Sequence, residues 1–342
     1  MSPKKTYGLT FFILLLVLLC CFGINLSLGS VSIPFSKVVS SLFGTSEPDN
    51  LSYIILNYRL PKAITAIIVG SGLGVSGLLM QTLFKNPLAG PYVLGITSGA
   101  SLGVAILILG SSIFGGFLAT FLMSKWSLVI AASLGSFLVL LTVLLVANKV
   151  KDTMTLLIIG LMFGSLTSAI VSVLSYFSNA EQLQQYIFWG FGSLGDLDWT
   201  SIQILCMVYV IGLIGCILVI KTLNALLLGD QYAKSLGVNL KKSRLLIIIA
   251  TSLIAGSITA FAGPIAFIGL AVPHLTRQLF KSTNHSTLIP AVLLFGAILM
   301  LICDSVAQLP SSDYTLPINA ITSFIGAPVV IWLLVRKRKM IF

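Results

Sequence analysis

Apolar runs dominate the pattern of hydrophobic and polar positions along this chain. Uncharged, mostly apolar stretches alternate with short segments rich in Gly, Pro and charged side chains. A helix needs roughly 20 apolar residues to cross a hydrocarbon layer about 30 Å thick, so the pattern predicts ten membrane-spanning helices. The predicted spans cover residues 8–28, 61–83, 92–110, 127–147, 155–177, 200–220, 245–263, 265–279, 288–308 and 316–335. The 265–279 stretch is short for a full crossing.

Composition supports this interpretation. Of the 342 residues, 57% are hydrophobic and 8% are charged, whereas soluble domains carry roughly 25% charged residues. Too few charged side chains remain to cover the outside of a soluble globule, which excludes that class of protein. The sequence therefore predicts an all-α polytopic membrane protein in which residues 1–342 form a single transmembrane domain.

The 20 basic residues predict the orientation of the spans. With both termini in the cytoplasm, ten spans place sixteen Lys and Arg residues inside and four outside, as the positive-inside rule expects. The four outer residues are Lys37, Arg59, Lys62 and Lys125. Topology thus explains the net charge of +11, and no basic face interleaved with aromatic residues indicates nucleic-acid binding.

Side chains suited to catalysis or to an ion relay are scarce inside the predicted spans. The chain has no GxxxxGK[ST] loop, no HExxH pattern and no nucleophile elbow, so we expect neither enzymatic activity nor ATP hydrolysis. The five cysteines lack metal-ligand spacing, so we expect no metal site and no cofactor in this chain. We expect a structural hydrogen bond from His274, a solvated His285, and water close to Asp304 near the outer end of its span.

Small residues form bands within two of the spans. The glycines concerned are Gly70, Gly72, Gly74, Gly77, Gly95, Gly99 and Gly103. Such spacing lets helix backbones approach closely in lipid, either for packing alone or to line a substrate pathway. The spans that begin at Leu60 and Leu245 are both Gly- and Ser-rich and run in opposite directions, which suggests two inverted halves.

Two polar segments stand out on the predicted inner side. Residues 85–91 contain two prolines that prevent a continuous helix, so they form either a simple turn or an inner gate. Residues 223–244 form the longest polar stretch, and Gly229 and Gly237 divide it into short helical pieces. An amphipathic piece of this kind could lie on lipid headgroups or seat in the groove of a partner protein.

A third polar feature lies on the predicted outer side. Arg59 and Lys62 place two cations at the start of one span, against the overall charge bias. Each could simply snorkel at a helix end, or the two together could meet carboxylates of a soluble partner.

These segments belong to long motifs that resemble a known family. In order, the motifs are RLPKAITAIIVGSGLGVSGLLMQTLFKNPLAGPYVLGITSGASLG, LLLGDQYAKSLGVN, AGPIAFIGLAVPHLTR and LPINAITSFIGAPVVIWLL. Over nearly its whole length, the chain resembles the iron-siderophore, haem and cobalamin permeases of bacterial ABC importers, the FecCD-like type II importer membrane subunits. The resemblance implies that fold, a second identical or paralogous permease subunit, an extracytoplasmic binding protein, and two cytoplasmic ATPases that bind the ATP and Mg.

The resemblance also implies roles for particular residues. Docking of the binding protein would involve Arg59 and Lys62. The cytoplasmic gate would comprise Asn86, Pro87, Leu88 and Thr153. Residues 223–244 would form the cytoplasmic coupling segment, seated in the ATPase through Gly229, Asp230, Ala233, Leu236 and Gly237.

One motif departs from the family pattern. After the ninth span many relatives carry an Arg and then a Glu before Leu-Pro, where this chain reads DSVAQLPSSDYTLP. Gln308 and Thr315 supply no docking charge at these positions. Docking would therefore depend more on Arg59 or on the partner permease, with Asp313 as a substitute for the acid.

We therefore expect a permease subunit of an ATP-driven importer in the bacterial cytoplasmic membrane. Its substrate would be an iron(III)-siderophore or a related metal chelate, with haem and cobalamin as alternatives. A secondary transporter driven by an ion gradient is the alternative mechanism, although the scarcity of ionisable residues within the spans argues against it. A structural or signalling membrane protein is a third class, but such a protein would not need so many small residues in its spans.

Overall fold

The computed structural model describes residues 7–45, 49–110, 125–147, 153–308 and 314–335. Within these ranges the chain is helical, and no β-strand occurs in them. The α-helices are α1 (Gly8–Ser27), α2 (Phe35–Leu42), α3 (Asn50–Ile54), α4 (Leu60–Leu83), α5 (Ile96–Leu109), α6 (Lys125–Ala147), α7 (Thr153–Tyr176), α8 (Ala180–Phe191), α9 (Trp199–Leu218), α10 (Ile220–Leu227), α11 (Asp230–Ser235), α12 (Leu240–Ala262), α13 (Ile268–Phe280), α14 (His285–Ala307) and α15 (Ile318–Val335).

The long apolar helices coincide with the predicted spans. Within the described residues, seven helical runs are long and apolar enough to cross a membrane. They are Gly8–Ser27, Asn50–Leu83, Trp126–Val143, Ile158–Tyr176, Trp199–Leu218, Leu240–Ala262 and His285–Ala307. The shorter apolar helices Ile96–Leu109 and Ile318–Trp332, together with α13, fall on the three remaining predicted spans. The prediction of an all-α polytopic membrane fold is confirmed, whereas the two inverted halves and the single-domain boundary stay predictions.

The second predicted span is longer than the sequence indicated. Its helix begins at Asn50 and reaches α4 through a π-helical turn, Ile55–Arg59, in which the backbone N–H of Leu60 donates to the carbonyl of Ile55. Pro61 follows Leu60 and has no backbone N–H to donate. Regular α-helical hydrogen bonding is therefore interrupted between Ile55 and Pro61.

The eighth predicted span is shorter than the sequence indicated. Helix α12 ends at Ala262, and the backbone is non-helical until α13 begins at Ile268. Pro264 disfavours helical geometry at Gly263, whose φ is +74°. Helix α13 therefore has 13 residues, too few to cross a bilayer on its own.

Helix α4 lies at the centre of the described bundle, and α12, α13 and α14 pack around it. Its glycines allow very close contact: a Cβ placed on Gly77 would lie 1.7 Å from the carbonyl oxygen of Gly269 in α13, and one on Gly70 would lie 2.2 Å from that of Gly296 in α14. Helices α5 and α6 are similarly close, because a Cβ on Gly103 would lie 2.0 Å from the carbonyl oxygen of Ala131. The glycine bands therefore allow tight helix packing, one of the two roles considered, and a substrate pathway along them stays a prediction.

Candidate functional site

A cavity of about 800 Å³ opens at the predicted outer end of the bundle. The segment after α1, the start of α4, the end of α14 and the loop after α8 surround it. Arg59 and Lys62, the predicted docking residues, both line this cavity. Asp196 and Asp304 also line it, so cationic and anionic side chains meet there.

Arg59 binds the C-terminal end of α1. Its Nη1 donates to the carbonyl oxygens of Leu26 at 2.7 Å and Ser27 at 2.9 Å, and its Nη2 donates to the carbonyl of Val31. The last carbonyls of a helix lack intrahelical donors and carry partial negative charge, so a guanidinium satisfies them well. Arg59 thus has a structural role at this site, which the sequence reasoning did not assign.

Lys62 pairs with a buried carboxylate. Its Nζ lies 3.1 Å from Oδ1 of Asp304, whose side chain is 2% exposed. The other carboxylate oxygen of Asp304 accepts from Nδ2 of Asn25 at 2.9 Å and from Nε2 of Gln308 at 2.7 Å. Donors from α1, α4 and the residue after α14 thus satisfy this carboxylate within the protein. Asp304 also lines the outer cavity, and the expectation of water close to it stays a prediction.

The two residues that depart from the family motif, Gln308 and Thr315, both lie at this site. Gln308 uses its side-chain amide to bind Asp304, and Thr315 lines the cavity. Asp313, which we considered as a substitute acid, lies outside the described residues.

At the predicted inner end, the turn after α4 contains three of the four predicted gate residues. The backbone N–H of Leu88 donates to Oδ1 of Asn86 at 2.8 Å, a side-chain contact that favours a turn. His274 of α13 donates from Nε2 to the carbonyl of Pro87 at 2.9 Å, which confirms the expected structural hydrogen bond. Thr153 begins α7, and its side chain is outside the described part of the structure.

The predicted coupling segment folds as the glycines indicated. Helices α10 and α11 are separated at Gly229, with φ +105°, and α11 and α12 are separated near Gly237, with φ +81°. A Cβ would meet no other atom within 4 Å at either glycine, so backbone conformation rather than space favours Gly there. Between them, Ala233 is buried while Leu236 is 57% exposed. The segment thus presents an apolar side chain on the predicted inner surface.

Asp230 connects this segment to two other elements. Its Oδ1 lies 2.8 Å from Nζ of Lys85 and its Oδ2 lies 2.6 Å from Nη2 of Arg244. Partial burial acts to raise the pKa of Asp230, but the two cations outweigh burial and lower that pKa below its usual value. Sequence reasoning assigned Asp230 to the coupling segment and found neither partner.

A second polar cluster holds α10 against the bundle. His285, the first residue of α14, is 1% exposed. Its Nε2 lies 2.8 Å from Oγ1 of Thr82 and its Nδ1 lies 2.8 Å from Oδ1 of Asn224 in α10. The expectation of a solvated His285 is wrong. Polar neighbours along the chain indicated a loop, whereas contacts with α4 and α10 bury the imidazole.

Metal-ligating side chains are not clustered in the described part of the chain. No group of three or more His, Cys, Asp or Glu residues within it is arranged to hold a metal ion.

Comparison with known proteins places this architecture among transport permeases. Residues 14–336 match the FecCD transport family. The hemin transport system permease protein HmuU of Yersinia pestis is 35% identical over 340 residues, which cover 99% of this chain and 97% of the relative. The vitamin B12 import system permease protein BtuC of Klebsiella pneumoniae is 35% identical over 338 residues, which cover 98% of this chain and 95% of the relative.

A solved structure has a similar fold over nearly the whole chain. It is described as an inward-facing conformation of a metal-chelate type ABC transporter, with a TM-score of 0.83 and 32% sequence identity. The alignment covers 97% of this chain and 100% of that chain. Because the family match and the curated relatives extend over nearly the full length, this chain belongs to the FecCD transport family of multi-pass membrane permeases.

Proposed function

We propose that this chain is the membrane-spanning permease subunit of an ATP-driven importer that carries a metal chelate into the cytoplasm. The observation that carries this proposal is the near full-length similarity to a hemin permease and a vitamin B12 permease. The chain itself has no nucleotide-binding motif, so ATP with Mg would be bound and hydrolysed by two separate ATPase subunits. A second permease subunit and an extracytoplasmic binding protein complete the proposed assembly.

Alternating access gives each site a role in this mechanism. The ATPases would move the coupling segment, residues 223–244, through Gly229, Asp230, Ala233, Leu236 and Gly237. That movement would open and close the inner gate at Asn86, Pro87, Leu88 and Thr153. The bundle of closely packed helices supports this proposal, because packed helices shift between discrete arrangements rather than deform continuously.

The coupling assignment is tested by the paired substitution Gly229→Trp with Gly237→Trp. Both glycines have positive φ, so bulky side chains strain the segment and obstruct its surface. We expect co-purification of the ATPases and uptake to fall while the permease still inserts. Unchanged uptake would contradict the assignment.

We propose that acidic side chains of the binding protein dock at the outer cavity beside Arg59 and Lys62. Arg59→Glu should weaken that association and reduce its salt dependence, because one attractive charge is reversed. Since Arg59 also holds the end of α1, Arg59→Lys serves as a control that keeps the charge and loses the bidentate geometry. Equal affinity and equal salt slope for the wild type and Arg59→Glu would overturn the docking role.

We propose an iron(III)-siderophore as the substrate, with haem and cobalamin as the alternatives that the relatives' names suggest. Reconstituted permease, ATPases and binding protein should take up the ferric siderophore only with ATP, and should prefer it over hemin and cyanocobalamin. Preference for hemin or cyanocobalamin would reassign the substrate and leave the importer function intact. Uptake that persists without the ATPases and collapses with an ionophore would instead establish a gradient-driven transporter.

A further inference from the structure

Lys85 occupies a backbone conformation that its side chain does not favour. It follows the C-terminal end of α4 with φ +47°, in the left-handed region where Gly or Asn usually ends a helix. A Cβ at such a position is sterically unfavourable, so the turn itself gives no reason for Lys. Its side chain reaches Asp230 of α11, with Nζ 2.8 Å from Oδ1, a contact that Gly or Asn at this position could not make.

The ion pair joins two segments with different functions in the proposed mechanism. Asp230 begins α11 in the coupling segment, and Lys85 directly precedes Asn86 in the gate turn. Arg244 lies near the start of α12, and its Nη2 is 2.6 Å from Oδ2 of Asp230. This second contact fixes the direction of the carboxylate. A displacement of α11 therefore acts on Lys85 through a short, charge-assisted contact.

The contacts around the coupling segment hold α10 more firmly than α11. Helix α10 is anchored to α4 and α14 through the buried contacts of His285 with Asn224 and Thr82. Helix α11 follows Gly229, where a Cβ would meet no atom within 4 Å, so there is open space on that side of the junction. We expect α11 to move about this junction more readily than α10.

We propose that the Lys85–Asp230 ion pair transmits movement of the coupling segment to the inner gate turn, so that Lys85 is a positioning residue for gating. This inference rests on the proposed importer function. The two side chains are 42% and 37% exposed, so the ion pair contributes little to folding stability and its loss should leave the fold intact.

The test compares Lys85→Asn with Lys85→Arg in permease reconstituted with its ATPases, its binding protein and whichever of ferric siderophore, hemin and cyanocobalamin the wild type transports best. Asn tolerates the left-handed conformation but is too short to reach Asp230, whereas Arg keeps the charge and the reach. The matched control is Lys241→Asn, since Lys241 is exposed near the same predicted inner surface and forms no ion pair among the described residues. The readouts are substrate transported per ATP hydrolysed, ATPase co-purification and thermal unfolding.

We expect Lys85→Asn to lower transport per ATP by at least about fivefold, with co-purification and thermal unfolding unchanged. Lys85→Arg and Lys241→Asn should remain within about twofold of the wild type. Asp230→Asn should cause at least as large a loss, because it also weakens the contact with Arg244. The double variant Lys85→Asn with Asp230→Asn should lose no more than Asp230→Asn alone, because Lys85 acts through Asp230.

Equal transport per ATP in Lys85→Asn and the wild type would overturn the inference, as would an equal loss in Lys241→Asn. Multiplied losses in the double variant would show independent roles and overturn it as well. If wild-type permease transports none of ferric siderophore, hemin and cyanocobalamin in response to ATP, the proposed importer function has failed, and this inference fails with it. That outcome is distinguishable because it appears before any variant is compared.

Discussion

Asp304 is a buried carboxylate in a mostly apolar helix, α14. A buried charge is tolerated only when it is paired and hydrogen-bonded, and this side chain has Lys62, Asn25 and Gln308 as partners. The ion pair between Lys37 and Asp49 is shorter, at 2.8 Å, but both of its side chains are more exposed than Asp304. Burial rather than distance therefore decides which pair matters more for stability.

We predict that Lys62→Met destabilises the protein by about 1–3 kcal/mol, because the buried carboxylate of Asp304 loses its counterion. Thermal unfolding in detergent is the measurement, and Lys37→Met is the matched control with a smaller expected loss. Adding Asp304→Asn to Lys62→Met should restore part of the stability. If the double variant is as unstable as the sum of the two single variants, the pairing argument is wrong.

The Asp49 carboxylate predicts a pH dependence. Its hydrogen bond from Lys37 and the backbone N–H of Ser52 lower the pKa of Asp49 to about 2. Because the folded pKa lies below the unfolded value, the stabilisation is fully present above about pH 4 and is lost as pH falls towards 2. Asn keeps the helix cap and removes the charge, so Asp49→Asn isolates this effect.

The melting temperature of the wild type should therefore exceed that of Asp49→Asn at about pH 5, and the difference should shrink towards pH 2. Thermal unfolding measured across this range in one detergent provides the comparison. A difference that stays constant with pH would contradict the assignment.

At the scale of elements, the close approach of α4 to its neighbours depends on the absence of side chains. The sequence indicated where small residues recur along α4, and the structure shows which helices they meet. Gly70 faces α14 and Gly77 faces α13, each against backbone that a side chain cannot displace without moving a helix.

We predict that Gly77→Ala destabilises the protein by about 1–3 kcal/mol, since the added methyl group would lie 1.7 Å from the carbonyl oxygen of Gly269. Gly190→Ala in α8 is the matched control, because nothing lies within 4 Å of its Cβ position. Ala favours a helix over Gly, so the control should be neutral or slightly more stable. Thermal unfolding of both variants provides the test. If Gly77→Ala is as stable as Gly190→Ala, α4 and α13 can move apart with no loss of stability, and the packing argument is wrong.

At the scale of the whole molecule, the distribution of Lys and Arg along the chain predicts the orientation in the membrane. The coupling segment and gate turn lie at one end of the bundle, and the cavity lined by Arg59 and Lys62 lies at the other. The proposed mechanism requires the first end to face the cytoplasm, where the ATPases bind.

We predict that a membrane-impermeant thiol reagent labels Tyr53→Cys in intact cells and labels Tyr232→Cys only after permeabilisation. Both tyrosines are more than half exposed, at 60% and 53%, so packing within this chain does not block access to either position. The native cysteines should first be replaced, because Cys20 and Cys206 are exposed. Labelling of Tyr232→Cys in intact cells would reverse the orientation and remove the basis of the coupling assignment.

The sequence by itself determined the helical spans, the turn at 85–91 and the division of 223–244 at its glycines. These features depend on local hydropathy and on the backbone preferences of Pro and Gly, which act within a few residues. Local patterns also carried the motifs that identify the family. The eighth span and the π-helical turn before Pro61 were less predictable, because tertiary packing and Pro together set where those helices begin.

Only the tertiary structure decided the partners of the charged and polar side chains. Lys62 meets Asp304, Lys85 meets Asp230, and His285 is buried, although each polar group could equally have been solvated. Their partners lie far away along the chain, and the choice depends on how the long helices pack around α4. Helix packing is set by the summed fit of many side chains, so a local sequence pattern fixes which groups need partners but not which partners they find.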